Sequence, residues 1–130
     1  MTAFIDTNVL VRHLTGDPPE LAARATRFLA EAEQLLLADL VLAEMVYVLE
    51  SYYEVERRRV AEFARSVVAF PAVMTVDDAL LLRTVEVYEA HRLDFADAYL
   101  VASAEATGVG AIASFDRDID RIPSIRRLEP

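Results

Sequence analysis

Two aspartates follow short apolar runs that have the length of buried strands. Asp6 comes after Ala3-Phe4-Ile5, and Asp116 comes after Ala111-Ile112-Ala113-Ser114-Phe115. If both runs are parallel strands, their carboxyl ends lie where sites form in open α/β sheets. Asp6 also has a purely structural alternative, because an aspartate at this point could cap the helix that follows. Either aspartate could therefore offer a carboxylate to a crevice.

Two further carboxylates occur within predicted helices. Apolar residues surround Glu44 at helical spacings between Leu40 and Leu49, which predicts that this helix is buried on most sides. A buried carboxylate must be paired or coordinated, and the structural alternative is an ion pair with an arginine. Asp97 follows Asp94 by one turn; Asp94 is predicted to cap the helix, so Asp97 lies in its first turn. There its side chain points back toward the helix start and the strand ends.

The chemistry of such a cluster is limited by repulsion. Unit charges about 4 Å apart repel by about 1 to 4 kcal/mol per pair, so the group takes up either protons or a cation. The chain has no cysteine and two histidines, of which His13 reads as a core residue and His91 as a helix end. The predicted ligands are therefore oxygen atoms, which favour Mg²⁺ or Mn²⁺ over zinc. A metal without a nucleophilic side chain suggests hydrolysis of phosphodiesters by metal-activated water.

The charge balance narrows the possible partners. The chain carries 22 acidic and 13 basic residues, a net charge of -9, and all the basic ones are arginine. The absence of lysine argues against Schiff-base chemistry, Walker-type phosphate loops and the phosphoacceptor receiver domain, which also clusters aspartates at strand ends. An acidic protein binds nucleic acid poorly unless local arginines, a cation or a basic partner help. The candidate arginines, which are otherwise solvated, are Arg57, Arg58, Arg59, Arg117, Arg121, Arg126 and Arg127.

The elements that must position these residues alternate along 130 residues, which suit a single domain of an α/β sandwich. No apolar run approaches a membrane span and no signal-like segment precedes Asp6, so a cytoplasmic protein without membrane contact is expected. Asp39 is predicted to cap the third helix, and Gly108 to end the sixth. The predicted strands are Ala3–Ile5, Leu35–Ala38, Ala72–Thr75, Ala111–Phe115 and Ile125–Leu128. The predicted helices are Val9–Leu14, Glu20–Ala32, Leu40–Ser51, Val55–Ala69, Val76–Ala90 and Asp94–Thr107.

The chain resembles PIN-domain ribonucleases, and among them the VapC toxins of bacterial type II toxin–antitoxin pairs. The resemblance covers essentially the whole length and rests on four segments in a characteristic order and spacing. They are Phe4-Ile5-Asp6-Thr7-Asn8-Val9-Leu10, Val41-Leu42-Ala43-Glu44-Met45-Val46-Tyr47-Val48-Leu49, Leu93-Asp94-Phe95-Ala96-Asp97-Ala98 and Ser114-Phe115-Asp116-Arg117-Asp118. By this resemblance the family's acidic quartet falls on Asp6, Glu44, Asp97 and Asp116.

The resemblance implies roles for these residues and a set of partners. Asp6, Asp97 and Asp116 would be metal ligands, and Glu44 would complete the catalytic pocket. Polar support would come from Thr7, Asn8 and Ser114. The implied fold is a three-layer sandwich with a central, mostly parallel sheet of about five strands and helices on both faces.

The implied activity is Mg²⁺-dependent, or Mn²⁺-dependent, cleavage of RNA. The implied partners are a second copy of the chain and a cognate VapB-type antitoxin, joined in a higher toxin–antitoxin complex. The alternative is a catalytically inactive module that keeps the fold and the antitoxin surface. The number of metal ions, the RNA target and a ligand role for Asp94 or Asp118 stay open at this point.

Overall fold

The computed structural model describes residues 2–130 and has the predicted α/β class. Short strands alternate with six α-helices over these residues, and none of these helices is long and apolar enough to cross a membrane. A 3-10 helix, Arg117–Arg121, precedes the last strand. The strands are β1 (Thr2–Phe4), β2 (Gln34–Leu36), β3 (Val73–Met74), β4 (Ala111–Ala113) and β5 (Arg126–Leu128). The helices are α1 (Thr7–Thr15), α2 (Pro19–Glu31), α3 (Asp39–Ser51), α4 (Arg57–Ala69), α5 (Asp78–His91) and α6 (Phe95–Thr107).

The chain divides into two compact units, of which the first ends at Val76 and the second is Asp77–Pro130. The first unit holds β1 to β3 with α1 to α4, and the second holds α5, α6, the 3-10 helix, β4 and β5. That residues 1–130 form a single domain stays a prediction.

A three-stranded parallel sheet in the order β1-β2-β3 organises the first unit. Phe4 lies opposite Leu36, and Leu36 lies opposite Met74. One residue beyond β1, the Ile5 N–H still donates to the Leu36 carbonyl at 3.0 Å. Asp6 is the next residue, so it stands directly at the carboxyl end of a paired strand, as predicted.

Helix α3 packs one face into the first unit and leaves the other open. Leu42, Met45 and Leu49 are fully buried, and α3 contacts both α1 and α4. The opposite face carries Leu40 and Tyr47, which are 83% and 67% exposed. Although α3 carries apolar residues on every side, only one of its sides is buried.

The second unit is built on the packing of α5 against α6, beside the parallel pair β4-β5. The rings of Tyr88 and Phe95 meet edge to face, with centroids 5.8 Å apart. Hydrogen bonds among residues 2–130 join the five strands as one sheet of three and one of two, whereas the resemblance implied one sheet of five. Each pairing rests on only two or three residue pairs, because every strand is two or three residues long.

The predicted helix caps have mixed outcomes. Asp39 is the first residue of α3 and not its cap; Ala38 holds that position, without a side-chain bond. Asp94 stands at the cap position of α6, but its side chain makes no capping hydrogen bond. By contrast, Asp77 caps α5, because its Oδ1 accepts from the Leu80 N–H at 3.0 Å. Gly108 ends α6 as predicted, with φ at 76°.

A partly buried ion pair joins α5 to α6. Arg83 donates from Nε and Nη2 to the two carboxylate oxygens of Glu105, at 2.7 and 2.9 Å. Ser124 Oγ donates to the same carboxylate at 2.6 Å. The Arg83 hydrogen bond, reinforced by Ser124, lowers the pKa of Glu105 from its ordinary 4.5 to about 2 against the opposing effect of burial. This geometry is bidentate and charge-assisted, so it stabilises the second unit.

We expect glycine to stabilise the protein at both helix ends, so removing it after α6 and introducing it after α5 should have opposite effects on the free energy of unfolding. Gly108 has φ at 76°, and a Cβ there meets nothing within 4 Å, so Gly108→Ala costs about 1 kcal/mol through backbone strain alone. Arg92 holds φ at 55° with a side chain, so Arg92→Gly raises the free energy of unfolding by about 0.5 kcal/mol. Urea unfolding midpoints measure both, and shifts of the same sign would contradict the prediction.

We expect Glu105→Gln to lower the free energy of unfolding at pH 7 by about 1 to 2 kcal/mol. Because the folded pKa lies below the unfolded one, this stabilisation is complete above pH 4.5 and is lost as the pH falls toward about 2. The variant should therefore lose part of the acid dependence of stability, measured by urea unfolding between pH 2 and 7. Glu86→Gln is the control, because Glu86 meets the same Arg83 from a 64% exposed position and surface pairs contribute little.

Candidate functional site

Asp6 and Glu44 line one cleft of about 440 Å³ in the first unit. Asp6 precedes α1 as its cap: Oδ1 accepts from the Thr7 N–H at 2.8 Å. The structural role considered for this aspartate is therefore present. The capping bond uses only Oδ1 of this exposed carboxylate, and Oδ2 takes no part in it.

Glu44 is exposed, and the prediction that it is buried is wrong. It lies on the open face of α3, four residues after Leu40 and three before Tyr47, where helical spacing places all three side chains on one side. The alternative of an internal ion pair is not realised either, because no arginine within residues 2–130 pairs with Glu44. The carboxylate is therefore solvated and unneutralised at the cleft.

Thr7 and Asn8 adjoin this pair, and their role as polar support stays a prediction. Both line the cleft, Asn8 with an exposed side chain. Thr7 is only 6% exposed, and its Oγ1 has no hydrogen-bond partner within residues 2–130. Buried hydroxyls are normally satisfied, so this atom points to a ligand or water that would complete its hydrogen bonding.

Asp97 lies in the first turn of α6 in the second unit, as predicted, and is half-buried. Partial burial raises the pKa of its carboxyl, and the charges of Asp116, Asp94 and Asp118 raise it further. Repulsion of this kind is what a bound cation relieves.

Asp116 is exposed and lies three residues beyond the end of β4, because the strand stops at Ala113. Ser114 produces this turn: its Oγ accepts from the Asp116 N–H at 2.9 Å. Asp116 Oδ1 in turn accepts from the Asp118 N–H at 2.9 Å and caps the 3-10 helix. Ser114 therefore holds the aspartate through a backbone contact, which gives the predicted polar support a definite form.

Two acidic residues that follow Asp116 are paired with arginines. Arg121 contacts Asp118 at 3.0 Å, and Arg127 contacts Asp120 at 2.9 Å. By contrast, none of the four candidate acids makes an ion pair within residues 2–130: Asp6, Glu44, Asp97 and Asp116. Asp6 and Glu44 belong to the first unit, and Asp97 and Asp116 belong to the second.

The donor set fits a hard divalent cation. It consists of carboxylates with one buried, unsatisfied hydroxyl, and oxygen donors of this kind suit Mg²⁺. Over the described part of the chain, no three side chains of His, Cys, Asp or Glu form a ready-made metal-binding group. The fit therefore rests on the chemistry of the donors and on their missing counter-charges.

Six further residues line the cleft of Asp6 and Glu44 and were not predicted as site residues: Val11, Arg12, Asp17, Val48, Tyr52 and Tyr53. A signal for one of them is present in the sequence. Tyr52 follows Glu44 by eight residues, a spacing that continues the same side of α3 past its last turn.

Comparison with known protein families matches residues 3–125 to the model of the PIN domain. The matched segment covers all four candidate acids and nearly the whole chain. No curated protein matches the chain.

We expect Thr7→Val to stabilise the protein by about 1 kcal/mol, because it removes a buried hydroxyl without a partner and keeps the side-chain shape. Thr84→Val is the matched control: Thr84 is fully buried, but its hydroxyl donates to the Leu80 carbonyl at 2.8 Å. This control should therefore lose about 1 kcal/mol. Urea unfolding without divalent metal compares the two, and a loss of stability in Thr7→Val would show that its hydroxyl is already satisfied.

Proposed function

The chain belongs to the PIN domain family, whose members are in general metal-using nucleases, and from this we propose that it is a Mg²⁺-dependent endoribonuclease. We further propose that it is a toxin of the VapC type, with RNA as the substrate. Mn²⁺ is the proposed substitute metal. The whole chain acts as one catalytic domain in this proposal.

One observation carries the proposal: the PIN domain match over residues 3–125 covers all four candidate acids, and none of them pairs with an arginine within residues 2–130. Glu105, Asp118 and Asp120 each pair with an arginine at 3.0 Å or less. Asp97 is the acid for which this matters most, because it is partly buried and lies near other carboxylates, whose repulsion a cation would relieve. The exposed carboxylate of Glu44 and the unpaired hydroxyl of Thr7 also support the proposal, because both are available to a ligand.

We assign the roles as follows. Asp6, Asp97 and Asp116 would hold the cation, which when bound neutralises phosphate charge and lowers the pKa of a water molecule. Glu44 accepts a proton from the attacking water, whose oxygen bonds to phosphorus. The bond from phosphorus to one ribose oxygen breaks, and that oxygen takes a proton from solvent water. Thr7 supplies a hydroxyl beside Asp6, Asn8 supplies an amide, and Ser114 positions Asp116 through its backbone N–H.

The proposed partners follow from the toxin assignment. A cognate VapB-type antitoxin would neutralise the activity, and the net charge of -9 suits a basic segment in that partner. A homodimer, a higher complex with the antitoxin and a cytoplasmic location belong to the same proposal.

We expect Asp97→Asn to abolish Mg²⁺-dependent cleavage of RNA by the purified protein, with a loss of at least about 100-fold. It should also remove the rise in melting temperature that Mg²⁺ produces, because a metal ligand is lost. Asp78→Asn is the matched control, since Asp78 is likewise an acid in the first turn of its helix. This control should behave as the unsubstituted chain does.

Cleavage retained by Asp97→Asn would contradict the proposal. No cleavage and no Mg²⁺-induced stabilisation by the unsubstituted chain would instead favour the inactive binding module. Melting curves at millimolar Mg²⁺ and a gel assay with total RNA separate these outcomes.

A further inference from the structure

The cleft of Asp6 and Glu44 extends well beyond these two acids. It has a volume of about 440 Å³, within the range of pockets that take small ligands. Its other walls include Arg12 from α1 and the consecutive Tyr52 and Tyr53 after the end of α3. Three acids (Asp6, Asp17 and Glu44), one guanidinium and two aromatic rings therefore share a single opening.

Tyr52 presents a prepared aromatic surface in this cleft. Its backbone N–H donates to the Val48 carbonyl at 3.0 Å, which anchors the residue as the last turn of α3 ends. Its ring meets that of Tyr53 edge to face, with centroids 4.8 Å apart and an angle of 71° between planes. The residue is nevertheless 75% exposed. An oriented ring that remains this open can accept a planar group on its face.

Asp17 holds the neighbouring residues in place. Tyr53 donates its hydroxyl to Asp17 Oδ2 at 2.9 Å, and this bond together with burial raises the pKa of Tyr53, which keeps the hydroxyl a donor. Arg12 donates from Nη1 to the Asp17 carbonyl at 3.3 Å, and it makes no ion pair within residues 2–130. The guanidinium is therefore tethered at one nitrogen while its charge stays available.

We propose that this cleft binds one nucleotide of the RNA beside the cleaved bond, with its base stacked on Tyr52 and its phosphate contacted by Arg12. This inference rests on the proposed function, because it names how the same site holds its substrate. A nucleotide is the ligand that combines a planar base with an anion, and these two features match the ring and the guanidinium. Tyr53 and Asp17 position the pair and do not contact the base.

The test measures binding apart from cleavage. Fluorescence anisotropy with a labelled single-stranded RNA of random sequence, in the full-length Asp97→Asn background, gives the dissociation constant at several salt concentrations. Tyr52→Ala should weaken binding about tenfold, since one stacked base is lost. Tyr52→Phe should bind as the parent does, because the ring is kept. Arg12→Ala should weaken binding and reduce the salt slope by about one, as expected for one phosphate contact.

Tyr47→Ala is the matched control, because Tyr47 is also an exposed tyrosine of α3, at 67%, but does not line the cleft. Equal RNA affinity of Tyr52→Ala and Tyr47→Ala would overturn the inference. So would a Tyr52→Ala variant that loses affinity only for a labelled oligoarginine peptide, since the cleft would then serve a basic protein segment. Melting curves check that each variant is folded.

The two proposals can fail independently. If the unsubstituted chain cleaves no RNA while Tyr52→Ala still weakens binding, the nuclease assignment fails and the nucleotide site stands. If the unsubstituted chain cleaves RNA and Tyr52→Ala has the parent's KM and affinity, the nucleotide site fails alone.

Discussion

The proposed activity depends on repulsion between carboxylates. The chain's own arginines do not neutralise these carboxylates. The chain has enough arginines to pair Glu105, Asp118 and Asp120 at close range. It leaves Asp97 half-buried among other carboxylates, whose charges raise the pKa of its carboxyl together with burial. An arginine at that point would improve the stability of the folded protein, but it would also occupy the place of a cation. Glu105 therefore serves the fold, whereas Asp97 stays available to a positively charged ligand.

The first unit also keeps polar groups available for a ligand. Asp6 uses one carboxylate oxygen to cap α1, so the helix start itself holds this side chain in place. Thr7 follows with a buried hydroxyl that has no partner within residues 2–130. An unsatisfied group of this kind lowers stability by about 1 to 3 kcal/mol, which is a large share of what a small domain has. Its position beside Asp6 and Glu44 makes a role toward a ligand the simplest physical account of that cost.

The sequence was most informative where a local rule decides the outcome. Asp6 at a strand end, Asp97 in a first turn and Gly108 at a left-handed cap each follow from backbone geometry over a few residues. Glu44 was predicted to be buried because its neighbours are apolar, yet apolar composition alone does not say which face of α3 packs. That choice is made by α1 and α4, which pack against one face of the helix.

The cleft was missed for a related reason. Tyr52 comes after the last turn of α3, so its spacing from Glu44 indicates a side of the helix but not how the ring is held. Its orientation comes from Tyr53, which depends in turn on Asp17, 36 residues earlier. Contacts of this range leave no periodic signal in one sequence. These contacts are seen only in the structure, whereas the spacing of Glu44 and Tyr52 can be read in the sequence.

An acidic protein that acts on RNA must gain affinity without covering its catalytic acids with cations. With a net charge of -9, long-range electrostatics oppose the approach of a polyanion. More arginines near Asp6 or Glu44 would reverse this locally, but they would also compete with the metal for the carboxylates. Stacking on Tyr52 avoids the conflict, because the attraction between a base and a ring does not depend on net charge. One guanidinium, tethered through the Asp17 carbonyl instead of a carboxylate, then adds a phosphate contact while the acids stay free.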